Sequence, residues 1–289
     1  MPSNDTEELN ALEIVGSFFL PQAQTASAAI LVLGGSDGGI GYASSLGKHL
    51  SARGYAVLAL AYFQKGALPP VLAELPLEYF DAAVKWLENH PRIDSKRLGV
   101  FGFSKGAEAA LLLASRNKSI CAVVAASPSH VAWEGLNRYK PAGRSSWSVN
   151  GSPVPYVPYD RSIKFLSPLA MYKQSLDVST NLHDTRIAVE EINGPVLLLS
   201  GAKDNLWPST HMAEQIMGKL TEGDSSHKHQ HICYQEAGHA VAPLFRLRDR
   251  MIFRLMSGIF GGDAKANRSA QLDAWERTVS FFGHHLDTI

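Results

Sequence analysis

Two cysteines in a chain of 289 residues leave no basis for a disulfide framework. Cys121 and Cys233 each fall in an apolar, strand-like segment. The expectation is a pair of buried, reduced thiols in a cytoplasmic protein. An excess of one charge is missing too: 27 Lys and Arg face 27 Asp and Glu, for a formal net charge of zero. That balance argues against a nucleic-acid or membrane-surface partner. No apolar run reaches the roughly 18 residues that a transmembrane helix needs. Met1 to Asn10 is polar and acidic, without the basic and apolar regions of a secretion signal. There is no internal repeat and no low-complexity tract.

What is present is an alternation of short apolar runs with amphipathic stretches. Strands are predicted at Ile14 to Pro21, 29–33, 55–60, 97–101, 121–126, 195–200 and 231–235. Helices are predicted over about 42–52, 75–89, 107–114 and 264–285. Strands that are apolar throughout are buried on both faces, which implies a parallel sheet covered by helices on either side. The fold class is α/β: a mostly parallel, doubly wound sheet with an α/β-hydrolase architecture. Ligand sites in such sheets lie at the carboxyl ends of the strands. Residues 1–27 read as an N-terminal extension with an early strand, and 28–289 as one domain. Within it, about 128–189 has little periodicity but many aromatics and prolines, among them Trp133, Trp147, Tyr156, Tyr159, Phe165 and Tyr172. Such an insertion suits a cap over the site, with Trp147, Tyr156, Tyr159 and Trp207 as candidate substrate-lining residues.

The most informative motif is Gly102-Phe103-Ser104-Lys105-Gly106. A G-x-S-x-G between a predicted strand and a predicted helix is the pattern of a nucleophile elbow, a turn too tight for bulk on either side of the serine. Serine is a poor nucleophile at neutral pH and needs a base held by a carboxylate. In this architecture the order along the chain is serine, acid, histidine. Asp204 follows the 195–200 strand, and His239 follows the last strand after a glycine. Glu236 and Asp224 are the competing acids; Glu236 is expected to lie still on the strand. Two backbone N–H groups should receive the developing oxyanion. They are assigned to Lys105, next after the serine, and to Ser36 in the glycine-rich loop after the 29–33 strand, with Asp37 as runner-up. That loop spells neither G-x-G-x-x-G nor a Lys-Ser/Thr phosphate loop. Lys105 and Glu108, one turn apart, are expected to pair on the helix surface. His227 and His231 have H-x-x-x-H spacing, but not on a helix, and His211 and His229 add no cysteine partner. No metal or cofactor is expected. His284 and His285 sit where a helix C-terminus favours them.

Residues 98–108, Leu-Gly-Val-Phe-Gly-Phe-Ser-Lys-Gly-Ala-Glu, resemble the elbow of acyl-CoA thioesterases and bile-acid-CoA:amino acid N-acyltransferases. Gly54 to Phe63, Leu75 to Phe80, Gly201 to Trp207, Ala237-Gly238-His239 and Asp273-Ala274-Trp275 are similar to that family as well. The resemblance implies an α/β-hydrolase with Ser104, Asp204 and His239 as its triad. Members that transfer acyl groups to amino acids typically use cysteine, so the serine implies water as final acceptor. With the first core strand opening near residue 28, the chain resembles stand-alone bacterial versions of the family's C-terminal domain.

The resulting expectation is a serine hydrolase acting on an activated acyl group, most of all a thioester bound to coenzyme A or a carrier protein. The same triad could serve an ester, a lactone or a polyketide, including C–C cleavage or acyl transfer in biosynthesis. The other reading is a binding module with an inactive site.

Overall fold

The computed structural model describes residues 6–11, 14–21, 27–162, 167–222 and 227–287. The first half of the chain runs β1 (Thr6–Ala11), β2 (Ile14–Phe19), β3 (Ser27–Leu33), α1 (Gly41–Ser51), β4 (Ala56–Leu60), β5 (Leu75–Pro76), α2 (Leu77–Asn89), β6 (Ile93–Phe103), α3 (Lys105–Arg116) and β7 (Ile120–Ala126). An irregular region follows, with β8 (Glu134–Asn137), β9 (Lys140–Ser145), β10 (Trp147–Val149), β11 (Ser152–Pro153), α4 (Pro168–Val178) and α5 (Leu182–Thr185). The chain then returns through β12 (Val196–Gly201), α6 (Ser209–Glu222), β13 (Gln230–Tyr234), α7 (Leu247–Leu255), α8 (Ser257–Phe260) and the long α9 (Ala264–Leu286).

Among the described residues, eight strands form one sheet in the order β1-β2-β4-β3-β6-β7-β12-β13. From β4 to β13 every pairing is parallel; β1 and β2 add an antiparallel edge. The period of two in side-chain direction splits each core strand between two hydrophobic layers. Leu31, Leu58, Val100, Val123 and Leu198 face one layer, with α2, α3 and α6. Val32, Val57, Phe101, Val124 and Leu197 face the other, with α1 and α9. Crossovers on both faces bring the carboxyl ends of β3, β6, β12 and β13 to one edge, where their loops meet.

Three expectations change. The acidic N-terminal stretch contributes a strand, β1, because an edge strand next to solvent needs no apolar face. Among the described residues, the 128–189 region holds four short strands and two helices. Its elements are too short for periodicity to register, and together with Trp207 and Met212 they close a small cluster around Trp133, Tyr159 and Tyr172. Both thiols are free but only half-buried. Cys121 stands near the start of its strand and Cys233 on an edge strand, where the helices do not cover them fully. Phe165 and Asp224 lie outside the described residues.

Candidate active site

The chain turns from β6 to α3 through Ser104, whose φ of 56° and ψ of −119° lie in a region that L-residues seldom occupy. Its neighbours make the turn possible. A Cβ at Gly102 would run into the Gly106 carbonyl, and one at Gly106 into the carbonyls of Leu33 and Gly34. The Ser104 N–H donates to Ala126 O at 2.9 Å, fastening the elbow to β7. The Ser104 carbonyl accepts from the N–H groups of Ala107 and Glu108 and so starts the helix. Lys105 N–H stands in the first turn, where helical N–H groups have no acceptor within the helix. The glycine loop after β3 lies alongside. A Cβ at Gly35 would sit 3.5 Å from that of Ser104. Tyr62 Oη pins this loop by donating to Gly34 O and Gly35 O at 2.6 and 3.2 Å. Burial, then the charges of Asp37 and Glu108, hold the Tyr62 phenol protonated, far above its usual pKa. Ser36 is half-buried in this loop and Asp37 exposed.

Ser104, His239 and Asp204, distant in sequence, form one buried hydrogen-bonded series. His239 Nε2 is 2.9 Å from Ser104 Oγ, and Nδ1 is 2.8 Å from Asp204 Oδ2. A carboxylate only accepts, so Nδ1 carries the proton and Nε2 is the acceptor for the serine hydroxyl. Asp204 accepts three further bonds: Leu206 N and Trp207 N donate to Oδ1 at 2.9 and 3.2 Å, and Ser209 Oγ to Oδ2 at 2.6 Å. Four donors on one buried carboxylate compensate its loss of water. The imidazole is boxed by Phe103, Trp207 and Phe260, with ring centroids 5.4, 5.7 and 6.0 Å away. Its backbone is held by Ser127 Oγ, which donates to His239 O at 2.7 Å.

The loops carrying the acid and the base are joined through a third segment. Asp204 bridges Gly261, and Ala237 bridges Gly262, both antiparallel. His239 N–H donates to Phe260 O at 2.6 Å. Asn267 of α9 accepts from Gly238 N–H at 2.7 Å and donates to Gly261 O at 3.0 Å. Gln271, one turn on, donates to Ala240 O at 3.0 Å.

The remaining candidates disperse. Trp207 sits against His239, with its indole N–H buried and unpartnered among the described residues. Trp147 is packed in the core between Tyr62 and Phe80. Tyr159 is buried in the smaller cluster, stacked on Trp133. Tyr156 is half-buried on the rim of a cleft with Tyr159 and Arg161. Glu236 has left the strand for an exposed turn, where it pairs with Lys203. His231 Nε2 is within 2.8 Å of Ser200 Oγ, and among the described residues no group of His, Cys, Asp and Glu could hold a metal ion.

The expected surface pair of Lys105 and Glu108 is instead buried. Lys105 Nζ lies 2.7 Å from Glu108 Oε2 and donates to Ser146 Oγ at 2.8 Å. Glu108 Oε1 accepts from Trp133 N–H at 3.0 Å and Trp147 Nε1–H at 2.6 Å. Burial pulls the Lys105 pKa below its usual value, and the Glu108 charge opposes that pull. The 128–189 region covers this face of α3, which is why helix spacing misassigned it. Ser127, Ser209, Asn267 and Gln271 also escaped the sequence reading. The i, i+4 spacing of the last two was the available signal.

Comparison with known proteins gives a consistent picture. The family profile described as "BAAT / Acyl-CoA thioester hydrolase C terminal" matches residues 75–288. Human acyl-coenzyme A thioesterase 1 is 32% identical over 295 residues, covering 99% of this chain and 66% of that protein. Human mitochondrial acyl-coenzyme A thioesterase 2 is also 32% identical, covering 99% of this chain and 58% of that protein. The chain therefore spans less than two thirds of the length of these relatives. Among solved structures, a putative dienelactone hydrolase from Klebsiella pneumoniae subsp. pneumoniae MGH 78578 superposes with a TM-score of 0.62 at 18% identity, covering 98% of this chain and 99% of that one. The α/β hydrolase GrgF from Penicillium sp. sh18 gives 0.58 at 14% identity, covering 99% of this chain and 100% of that one. At such identities the likeness is one of fold, and the fold is that of the α/β-hydrolases.

Proposed function

The chain belongs to the BAAT / acyl-CoA thioester hydrolase C-terminal family, and from that premise we propose that it is a serine hydrolase of activated acyl groups, above all acyl-CoA or related thioesters. The observation that carries this reading is the Ser104–His239–Asp204 series, with contacts of 2.9 and 2.8 Å.

In this reading Ser104 Oγ attacks the acyl carbonyl while His239 Nε2 takes its proton. Asp204 keeps Nδ1 protonated and stabilises the imidazolium that forms. The Lys105 and Ser36 N–H groups receive the oxyanion of the tetrahedral intermediate. The carbonyl re-forms, the carbon–sulfur bond breaks, and His239 returns the proton to the departing thiolate. Water, deprotonated by His239, then attacks the acyl-enzyme and releases the acid and Ser104. The burial of the series and the aromatic box around His239 exclude bulk solvent from these proton transfers. The described part of residues 128–189 forms the cap, fixed to α3 through Glu108 and Ser146, and Trp207 lines the site beside His239. Among the described residues no helix is long and apolar enough to cross a membrane.

The test is thiol release from acyl-CoAs of short, medium and long chain, with p-nitrophenyl esters alongside. Serine-dependent turnover of thioesters well above esters is expected. Ser104→Ala should abolish it, and Asp204→Asn should reduce it by up to about 10⁴-fold by leaving the imidazole in the wrong tautomer. Activity retained by a clean Ser104→Ala preparation would sink the reading. Turnover of esters alone would redirect it to lactones or polyketides, and failure of Ser104 to react with a fluorophosphonate would favour an inactive binding module.

A further inference from the structure

A second cleft, of about 230 Å³, opens between α7 and α9. Arg250 and Arg254 of α7 and Arg268 of α9 line it, together with Leu247, Met251 and Phe253. Among the described residues none of these three guanidiniums has a carboxylate at ion-pair distance. The nearby Asp249 is 3.8 Å from Arg246 instead. Arg268 Nη1 donates to a backbone carbonyl, that of Leu244, at 3.3 Å. Burial, and the like charge of Arg250, pull the Arg268 pKa below its usual value. A chain of zero net charge thus concentrates uncompensated positive charge in one concavity. Planar guanidinium forks are the side chains best suited to phosphate oxygens. The α7 side of the cleft also carries apolar surface: Leu247 and Met251, four residues apart on that helix, are 67% and 53% exposed. Such a surface can take the face of a flat base or an aliphatic arm.

The cleft lies beside the candidate active site. The Phe253 ring is 6.1 Å from that of Phe103 and 4.6 Å from that of Phe260, and both of those rings pack on His239. Asn267 and Gln271, which also line the cleft, are the residues that hold the backbone on either side of His239. One layer of aromatic side chains therefore separates the arginines from the imidazole.

We propose that this cleft seats the phosphorylated head of the leaving thiol, a nucleoside diphosphate carrying a thiol arm, with Arg250, Arg254 and Arg268 on its phosphates and Leu247 and Met251 against its apolar part. The proposal rests on the thioesterase reading for the identity of the reaction, but binding tests it independently. The full chain carrying Ser104→Ala is titrated calorimetrically with free coenzyme A, ADP and pantetheine, with and without Arg250→Ala and Arg268→Ala together. Coenzyme A and ADP should bind at least tenfold more weakly to the arginine variant, pantetheine should show no such dependence, and raised salt should mimic the substitutions. In the Ser104 background, the two arginine substitutions should reduce the selectivity for acyl-CoA over acyl-pantetheine at least tenfold.

Equal binding of coenzyme A with and without the arginines would overturn the proposal, as would equal losses on acyl-CoA and acyl-pantetheine. No ADP binding, together with uptake onto anionic phospholipid vesicles, would assign the arginines to a lipid surface instead. Arginine-dependent ADP binding by a protein that hydrolyses only esters would support the cleft while removing the thioesterase reading. Acyl-CoA turnover that is indifferent to the arginines would do the reverse.

Discussion

Lys105 and Glu108 face each other at 2.7 Å directly after the nucleophile elbow, and neither side chain reaches water. Each is also tied to the 128–189 region, Lys105 to Ser146 and Glu108 to the backbone of Trp133 and the indole of Trp147. The pair therefore joins the first turn of α3 to the region that covers it. Its desolvation is offset only while both charges and all four hydrogen bonds are in place.

Removing either partner should be costly. Lys105→Met leaves Glu108 as an unpaired buried anion, and Glu108→Gln leaves Lys105 as an unpaired buried cation. Each should lower stability by about 3–5 kcal/mol, as breaking one half of a buried ion pair does. Urea denaturation checks this, and a loss within about 0.5 kcal/mol, as at an ordinary surface site, would refute it.

The glycines of the elbow should tolerate nothing larger, while a helical glycine in open space should. Gly106→Ala drives a methyl into the carbonyls of Leu33 and Gly34, and Gly102→Ala into that of Gly106. Both should lower the melting temperature and abolish fluorophosphonate labelling of Ser104. Gly218, within α6, has no described residue's atom within 4 Å of an added Cβ outside its own helix backbone. Gly218→Ala should raise stability by roughly 0.5–1 kcal/mol by restricting the unfolded chain. The paired outcomes separate a steric cause from glycine replacement in general.

Acid should destabilise the protein through His130. Burial, then the neighbouring His211 and Arg186, push its pKa down to about 4, and its Nδ1 has no hydrogen-bond partner among the described residues. The unfolded chain titrates near 6.5. A depressed folded pKa means that the contribution is complete above about pH 6.5 and is lost as pH falls toward 4. At about 1.4 kcal/mol per pKa unit, the loss is up to roughly 3 kcal/mol. His130→Gln should flatten the stability profile between those two pH values. An unchanged slope would show that other groups govern it.

Much of this architecture could be read along the chain. Strands such as Ala29 to Leu33 are apolar throughout because both faces are covered, and the elbow announces itself through two glycines whose hydrogens alone fit. Asp204 and His239 stand out in the sequence by their place after strands, and the structure puts them within hydrogen-bond distance of each other. What escaped depends on contacts between distant segments. Glu108 reads as a surface residue on its own helix, since only the folded 128–189 region supplies Trp133 and Trp147 to bury it. Helix α7 was missed because it buries none of its residues fully, and Phe253, partly buried against the core, does not make a stripe. Ser209 acts through one side-chain hydrogen bond and leaves no periodic trace, whereas Asn267 acts through two and is marked by nothing but its i, i+4 spacing to Gln271.

The joining of the Asp204 and His239 loops through Phe260 to Gly262 has a mechanical consequence. Acid and base are yoked to one crossbar, and Ser127, directly after β7, ties the His239 carbonyl to the same strand end that holds the Ser104 backbone. The 2.8 Å contact between imidazole and carboxylate thus sits on backbone bonds that no substitution of the Ser104 side chain removes.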